Sequence, residues 1–402
     1  MAANTPQWGR ALRPLWRLDE GTRLINHGSF GATPLEILAE QDEWRGRMER
    51  NTARFFMAEL PKAMRSAAEP TAAFVGTAPE RLAFVVNATA GINAIARSLD
   101  FAPRDEIILT DHVYNAVRNT FRYVAERSGA VLVEARIGVP VIGHAQILDA
   151  VAAAITDRTR LVVIDHVASA SAVEHPVAVI AAMCRDRGIQ VLVDGAHTPG
   201  LLDLNVDSID ADWYVGNFHK WICAPKGAAF LAVSRRPTAP IHPLAISHAY
   251  GQPFPTAFDK IGTHDATAIL SVPSAIAFHE RLGGSALRSR NRDMARNVAQ
   301  RVAAGMGSEM GADPSLFHAM ATIRLPVDIA EHPDAIGRIH DHLLEHNRIE
   351  AAISLVAGTL YLRVSVQAYN DTDDYEGLSA AAMAAIAALD HPADSHEITG
   401  AS

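Results

Sequence analysis

The sequence predicts an α/β domain built on a mostly parallel sheet, followed by a smaller α+β domain. Short apolar, β-branched runs alternate with longer helical patterns through the first two-thirds of the 402 residues. That alternation is the mark of βαβ units, whose helices cover both faces of a sheet. After Thr263 it stops, and helices give way to a few short strands. The chain is also longer than one small core requires, which suits a large domain with a companion.

Strands are predicted at Leu82–Val86, Glu106–Thr110, Ala130–Glu134, Leu161–Asp165, Gln190–Asp194, Trp213–Gly216 and Ala228–Val233, giving a seven-stranded sheet. Between them, Ile147–Ile155 and Val177–Arg187 have helical spacing. Further on come a helix over Ala266–Arg281, an arginine-rich helix over Ser285–Ala304, and strands at Met320–Leu325 and Tyr361–Val366. The division is a large domain over 20–265 and a small domain over 266–392. An N-terminal arm over 1–19 joins the small domain, and a polar tail over 393–402 is expected to be disordered.

Composition removes several classes of function. A net charge of −9 leaves no basic face for a phosphate backbone, so nucleic acid is not an expected partner. The N-terminus lacks the apolar stretch of a signal peptide, and the alanine-rich Leu378–Leu389 is too short to span a membrane and reads as a packed helix. The two cysteines, Cys184 and Cys223, suggest no disulfide framework, and a cytoplasmic location is expected. Of 36 basic residues only Lys62, Lys220, Lys226 and Lys260 are lysines. Arginine therefore covers the general surface charge, and each lysine invites a reason of its own. A lysine can shift its pKa and form a Schiff base, which an arginine cannot.

Ligands of such sheets bind beyond the carboxyl ends of the strands. Strand Gln190–Asp194 ends in Asp194-Gly195-Ala196-His197, and the following strand runs into Asn217-Phe218-His219-Lys220-Trp221. A carboxylate at the tip of a buried strand is expensive unless it meets a cation, although a helix cap is the other ordinary use of such an Asp. A lysine and a carboxylate on neighbouring strands are what pyridoxal phosphate (PLP) needs: an amine for its aldehyde and an acid to keep its ring nitrogen protonated. Asn87-Ala88-Thr89-Ala90-Gly91 follows strand Leu82–Val86 and opens a helix. It is either a phosphate cup or an ordinary N-cap.

These segments resemble the class V aminotransferase group of fold-type I PLP-dependent enzymes. Asp194-x-x-His197, His219-Lys220 and Asn87-Ala88-Thr89 carry the likeness, which runs from Asn26-His27-Gly28-Ser29-Phe30-Gly31 to Arg363. Thr110-Asp111-His112-x-Tyr114, Gly216-Asn217-x-His219-Lys220-Trp221 and Gly262-Thr263-His264-Asp265 point within it to the isopenicillin N epimerases and the related cysteine desulfhydrases and C–S lyases. Position 264 is His where the epimerase carries Arg. The resemblance implies that Lys220 forms the internal aldimine and carries the Cα proton, Asp194 pairs with the ring nitrogen, and His197 lies near the phenolic oxygen. It implies that Thr89, Ala90, Asn217 and His219 hold the phosphate, with Thr263 reaching it from the other subunit of a homodimer whose active site lies at the interface. Tyr114, or alternatively His112, stacks on the ring, and Ser169 sits beside it. Arg363 takes the substrate carboxylate with its bidentate fork, unless it is a surface arginine of an edge strand. Asn26, His27 and Ser29 line the substrate entrance, or form a plain turn.

The implied activity is on the Cα of an amino acid, through an external aldimine and a quinonoid, like that of isopenicillin N epimerase. The alternatives are C–S β-lyase and aminotransferase activity on a small amino acid or S-conjugate. Cysteine desulfurases of the group use a mobile cysteine shortly before the position of Arg363, and 337–362 contains none. His342-Leu343-Leu344-Glu345-His346 matches a zinc-protease pattern, but its helix should bury Ile336, Ile339 and Leu343 and no third ligand is evident, so no metal is expected.

Overall fold

The computed structural model describes residues 7–236 and 238–390. The first six residues of the expected arm and the whole expected tail lie outside them.

The large sheet contains β1 (Leu82–Val85), β2 (Glu106–Thr110), β3 (Val131–Ala135), β4 (Thr159–Asp165), β5 (Gln190–Asp194), β6 (Trp213–Asn217) and β7 (Ala229–Val233). Their spatial order is β1-β7-β6-β5-β4-β2-β3. Only β7 runs antiparallel to its neighbours; the other pairings are parallel. All seven predicted strands are present, with ends moved by at most two residues. Most were readable because strands covered on both faces are continuous apolar runs: every residue of β1 and β2, for example, is buried. The edge strand β3 is largely uncovered and was readable from Val131-Leu132-Val133 alone.

Alternate strand residues feed two apolar layers. Ile107, Leu109, Val163, Leu192 and Val215 pack with Ile92 and Ile95 of α1 (Ala88–Ser98) and Phe121 of α2 (Asn115–Ser128). Ile108, Val162, Ile164, Val191 and Val193 face the other way, toward Ile147 of α3 (His144–Ala154) and Ile180 of α4 (Val177–Arg185). This two-sided burial holds the sheet rigid and leaves its carboxyl edge to carry the polar residues.

The C-terminal part carries a three-stranded antiparallel sheet of β8 (Met320–Arg324), β9 (Ala352–Val356) and β10 (Thr359–Ser365), in the order β9-β10-β8. β9 was not predicted: it is an edge strand, mostly half-buried or exposed, so it lacks a continuous apolar run. The helix expected over Ala266–Arg281 is two helices, Thr267–Leu270 and α5 (Val272–Arg281). Pro273 lacks the N–H that would carry one helix through and restricts the residue before it. The arginine-rich α6 (Ser285–Gly305) and the alanine-rich α8 (Leu378–Ala387) form as expected. In α7 (Ala335–Asn347), Ile339 and Leu343 are buried, but Ile336, in the first turn of the helix, is exposed, contrary to expectation. The N-terminal segment packs on this part of the chain: the Trp8 indole donates to the Leu282 carbonyl at 2.7 Å. Arg23–Leu24 pairs in parallel with Ile349–Glu350.

Gly195, just past β5, lies against the buried Tyr214 ring, where an added Cβ would stand 2.2 Å from a ring carbon. Tyr214 cannot swing away easily, since its hydroxyl is bonded to His166 Nδ1 at 2.8 Å and Thr198 Oγ1 at 2.7 Å. Gly195→Ala is expected to cost about 1–3 kcal/mol through overpacking. Urea unfolding measures this, and an unchanged midpoint would contradict the packing described.

Candidate active site

Beyond the carboxyl ends of β4, β5 and β6 lies a cavity of about 380 Å³. Asp165 ends β4, Asp194 ends β5 directly opposite it, and Asn217 ends β6. All three line the cavity, together with His219 and Lys220 from the turn that follows β6. The site is thus a consequence of register, with three adjacent strand tips delivering their last side chains to one place.

The N-terminal segment fixes that turn. Gly31, at φ +70°, lies so close to the His219 carbonyl that a Cβ would meet it at 2.0 Å. His27, expected at the substrate entrance, is instead buried behind Lys220. Its Nε2 donates to the Lys220 carbonyl at 3.0 Å, and its Nδ1 accepts from the Tyr369 hydroxyl at 2.9 Å. Burial holds this imidazole at a pKa of about 4, so it is a neutral strut.

Lys220 Nζ lies 3.0 Å from His197 Nε2. Burial, reinforced by the positive charge of Arg363, lowers the amine from 10.5 to about 7, against the pull of Asp194 and Asp165. His197 is held well below the usual imidazole range by burial, with Lys220 adding to the effect, so it accepts the amine's hydrogen bond as a neutral ring. Burial likewise takes His219 to about 4. Asp194 is raised by burial, although the Ala196 N–H at 2.9 Å and the charge of Lys220 favour its anion.

Arg363, from β10, is buried. It donates to the Ser169 carbonyl at 2.5 Å and hydroxyl at 3.3 Å, to Ser29 Oγ at 2.7 Å and to Asn26 Oδ1 at 3.1 Å. Among the described residues its guanidinium has only neutral partners, and Ser29 and Ser169 are the groups that separate it from the cavity. Burial lowers it from 12.5 to about 10, so it remains a cation at neutral pH.

Thr89 lies on the cavity wall at the start of α1. Ala90 does not: its N–H is taken by the Asn87 side chain at 2.8 Å, so the ordinary N-cap reading holds for that residue. Asn217 Oδ1 accepts from the Ala88 N–H at 2.8 Å and ties α1 to β6. Tyr114 stands half-exposed on the wall. His112 is buried elsewhere, with Nδ1 near Ser171 Oγ at 2.9 Å and Nε2 near the Gly138 carbonyl at 3.2 Å. Thr263 is exposed and is not part of the cavity wall of this chain. In the helix with the zinc-protease spacing, the rings of His342 and His346 contact each other. Among the described residues no group of three or more potential metal ligands comes together.

Sequence reasoning gave no site role to two charged wall residues, Asp165 and Lys226. A signal existed for Asp165, which is an acid closing an apolar strand just as Asp194 is. Lys226, whose ammonium donates to Thr33 Oγ1 at 3.3 Å, stands only a few residues after Lys220 and was overshadowed by it.

Asp165 Oδ2, His197 Nδ1, His219 Nδ1 and Arg363 Nε are buried without a protein partner, all at or beside the cavity. Buried polar atoms are rarely left so, and their concentration here marks a place for a polar ligand. The donor set suits PLP: an unprotonated amine for an aldehyde, a buried acid for a protonated ring nitrogen, and a helix N-terminus with a hydroxyl for a phosphate.

Comparison with known proteins agrees. The aminotransferase class-V family model matches residues 34–335. The chain is 32% identical to isopenicillin N epimerase of Streptomyces clavuligerus over 382 residues, covering 90% of this chain and 94% of that one. It is 30% identical to a probable chloroplastic L-cysteine desulfhydrase of Arabidopsis thaliana over 383 residues, covering 88% and 81%. Among solved structures, a cystine C–S lyase in complex with cysteine persulfide aligns with a TM-score of 0.74 and 21% identity, over 90% of this chain and 97% of that one. Another structure of that lyase, a variant, carries glycine covalently linked to the PLP cofactor. These structural likenesses support the fold-type I architecture.

Because Lys220 titrates near 7, the reactivity of its amine in the cofactor-free protein is expected to rise as pH passes through about 7. An ordinary lysine would react near its own, higher pKa. Mass spectrometry of the Lys220 peptide after brief treatment with an amine-directed reagent gives the profile. A rise confined to pH above 9 would contradict the burial effect.

Proposed function

The chain belongs to the class-V aminotransferase family and is a PLP-dependent enzyme; from that premise we propose that it removes the Cα proton of a small amino acid and is epimerase-like in outcome. The observation that carries this reading is the Lys220 amine, buried at about pKa 7 beside His197 and in the same cavity as Asp194.

When bound, PLP withdraws electrons from the Cα of an amino acid joined to it and makes the Cα–H acidic. Lys220 would hold the cofactor, and it is suited to moving the Cα proton because its amine is about half neutral at pH 7. Asp194 would take the ring nitrogen, and His197 the phenolic oxygen. Thr89, Asn217 and His219 would hold the phosphate, Tyr114 would stack on the ring, and Ser169 would lie beside it. Arg363 would orient the α-carboxylate, with Asn26 and Ser29 setting the guanidinium in place. A buried cation surrounded only by neutral groups is costly until an anion reaches it, which favours a carboxylate as its partner. A homodimer in which Thr263 reaches the neighbouring site, and a cytoplasmic location, belong to the same proposal. No described helix is long and apolar enough to cross a membrane.

A second reading, C–S β-lyase, is supported equally by the desulfhydrase relatives. Persulfide-forming desulfurase chemistry is not favoured. Both cysteines are buried, with thiols pushed up to about 11 for Cys184 and about 12 for Cys223, and reactive thiols have low pKa values.

Incubation with L-amino acids and S-substituted cysteines in D₂O distinguishes the outcomes. Deuterium at Cα with the amine retained and the configuration inverted is expected. Pyruvate plus thiol would select the lyase reading instead, and a keto acid with a bleached cofactor band would select transamination. Lys220→Ala is expected to lower the rate by roughly 10³-fold or more; wild-type turnover in that variant would refute the mechanism. Arg363→Lys is expected to raise KM about tenfold, since the ammonium cannot replace the planar fork. An unchanged KM in steady-state assays would remove Arg363 from substrate binding.

A further inference from the structure

We propose that Asp165 holds a proton in the resting enzyme and, as a neutral acid, donates a hydrogen bond to bound PLP, leaving the negative charge of the strand-end pair on Asp194. The proposal rests on the PLP-binding reading above and adds to it a residue with no role there.

Geometry carries the case. β4 and β5 are neighbours in register, and their last residues, Asp165 and Asp194, lie opposite each other. Neighbouring strands are about 4.8 Å apart. The two carboxyl groups are only 2% and 4% exposed and line the same cavity. Two like charges at that range in a dry site resist ionising together, and such a pair tends to share one proton.

The surroundings decide which acid keeps the proton. Asp194 receives the Ala196 N–H at 2.9 Å. Asp165 is approached by the Tyr114 backbone N–H, but its Oδ2 is buried without a hydrogen-bond partner among the described residues. An anionic oxygen without a donor is the costlier arrangement, so the proton belongs on Asp165. A carboxylic O–H in turn needs an acceptor, and the protein supplies none to that atom. The acceptor must then come from whatever fills the cavity. His197 Nδ1, on the same wall, is unpartnered as well and points independently to a polar ligand there.

The other groups around Asp165 do not reverse this. Burial and Asp194 raise it well above the carboxylate range, while the Tyr114 backbone N–H and Lys220 pull the other way. His166 and His175, which follow β4, and His112, which follows β2, are each lowered by burial and are neutral. Lys220 is the cation that acts on Asp165, and its amine is about half neutral at pH 7; Lys226, on the same wall, is turned to Thr33.

Three preparations test this without any substrate: wild type, Asp165→Asn and Asp165→Ala. The wild-type holoenzyme is expected to show the infrared carbonyl band of a buried protonated carboxylic acid, and Asp165→Asn, which keeps a donor of the same shape, is expected to lose it. PLP affinity measured by titrating the cofactor-free proteins should stay within about threefold of wild type in Asp165→Asn and fall about tenfold or more in Asp165→Ala, the loss of one buried hydrogen bond. A band that persists in Asp165→Asn, or wild-type PLP affinity in Asp165→Ala, overturns the proposal and leaves the function reading standing. The infrared result decides alone if Asp165→Ala does not fold. If wild type takes up no PLP, both readings fail.

Discussion

The site depends on one constraint: an amine is buried where solvent cannot keep it charged. Desolvation is the largest influence on Lys220, ahead of every named charge around it. A lysine on the surface would stay an ammonium ion at neutral pH and could neither attack an aldehyde nor accept a proton. The fold creates the condition by covering both faces of the large sheet and closing the turn after β6 from the N-terminal side. His27 and Gly31 press on the backbone of that turn rather than on the side chain, so the amine is held by its main chain while its head remains free in the cavity.

The same desolvation acts on every ionisable group nearby, with opposite consequences for acids and bases. His197 and His219 become neutral acceptors, and Asp165 and Asp194 rise. Arg363 keeps its charge at neutral pH, because a guanidinium starts so high that a large shift leaves it protonated. The cavity therefore sorts its groups by intrinsic basicity. A cation stands beside it, a pair of raised acids at the strand tips, and an amine poised near neutrality on the turn after β6.

What could be read from the sequence follows from how local each signal is. Most strands of the large sheet were legible because burial on both faces writes itself into consecutive residues, and the exposed edge strand β3 was legible from its Val131-Leu132-Val133 run. β9 was not, because Ser354 interrupts its apolar residues. Lys220 and Asp194 stood out through lysine scarcity and strand-end position. Asp165 occupies the same kind of position, yet its importance lies in facing Asp194 across a strand pairing, which is a matter of register and has no trace in spacing along the chain. His27 was misplaced for a related reason. Its residue type suits a binding turn, and only the packing of residues 26–31 beneath Lys220 shows that it serves the backbone. Ala90 was lost to local chemistry: the Asn87 cap that marks the helix start also consumes the N–H assigned to an anion.

On the proposed reading, most of the groups common to epimerisation and C–S cleavage are buried or half-buried, and that bears on where the two part. Both reactions require a proton to leave Cα, and Lys220 suffices for that. Inversion further requires a donor on the opposite side of Cα, whereas loss of a β substituent requires none there. His197 and His219 are neutral rings whose pKa values lie far below 7, so neither is a reservoir of protons at neutral pH. Asp194 is needed as an anion, and Arg363 is tied to Ser29, Asn26 and Ser169. Of the wall residues that can carry a transferable proton, Tyr114 is the one that is half-exposed and free of a side-chain partner among the described hydrogen bonds. On that reading, a difference between an epimerase and a lyase built on this site would fall on the half-exposed rim around Tyr114 rather than on the groups that both reactions share.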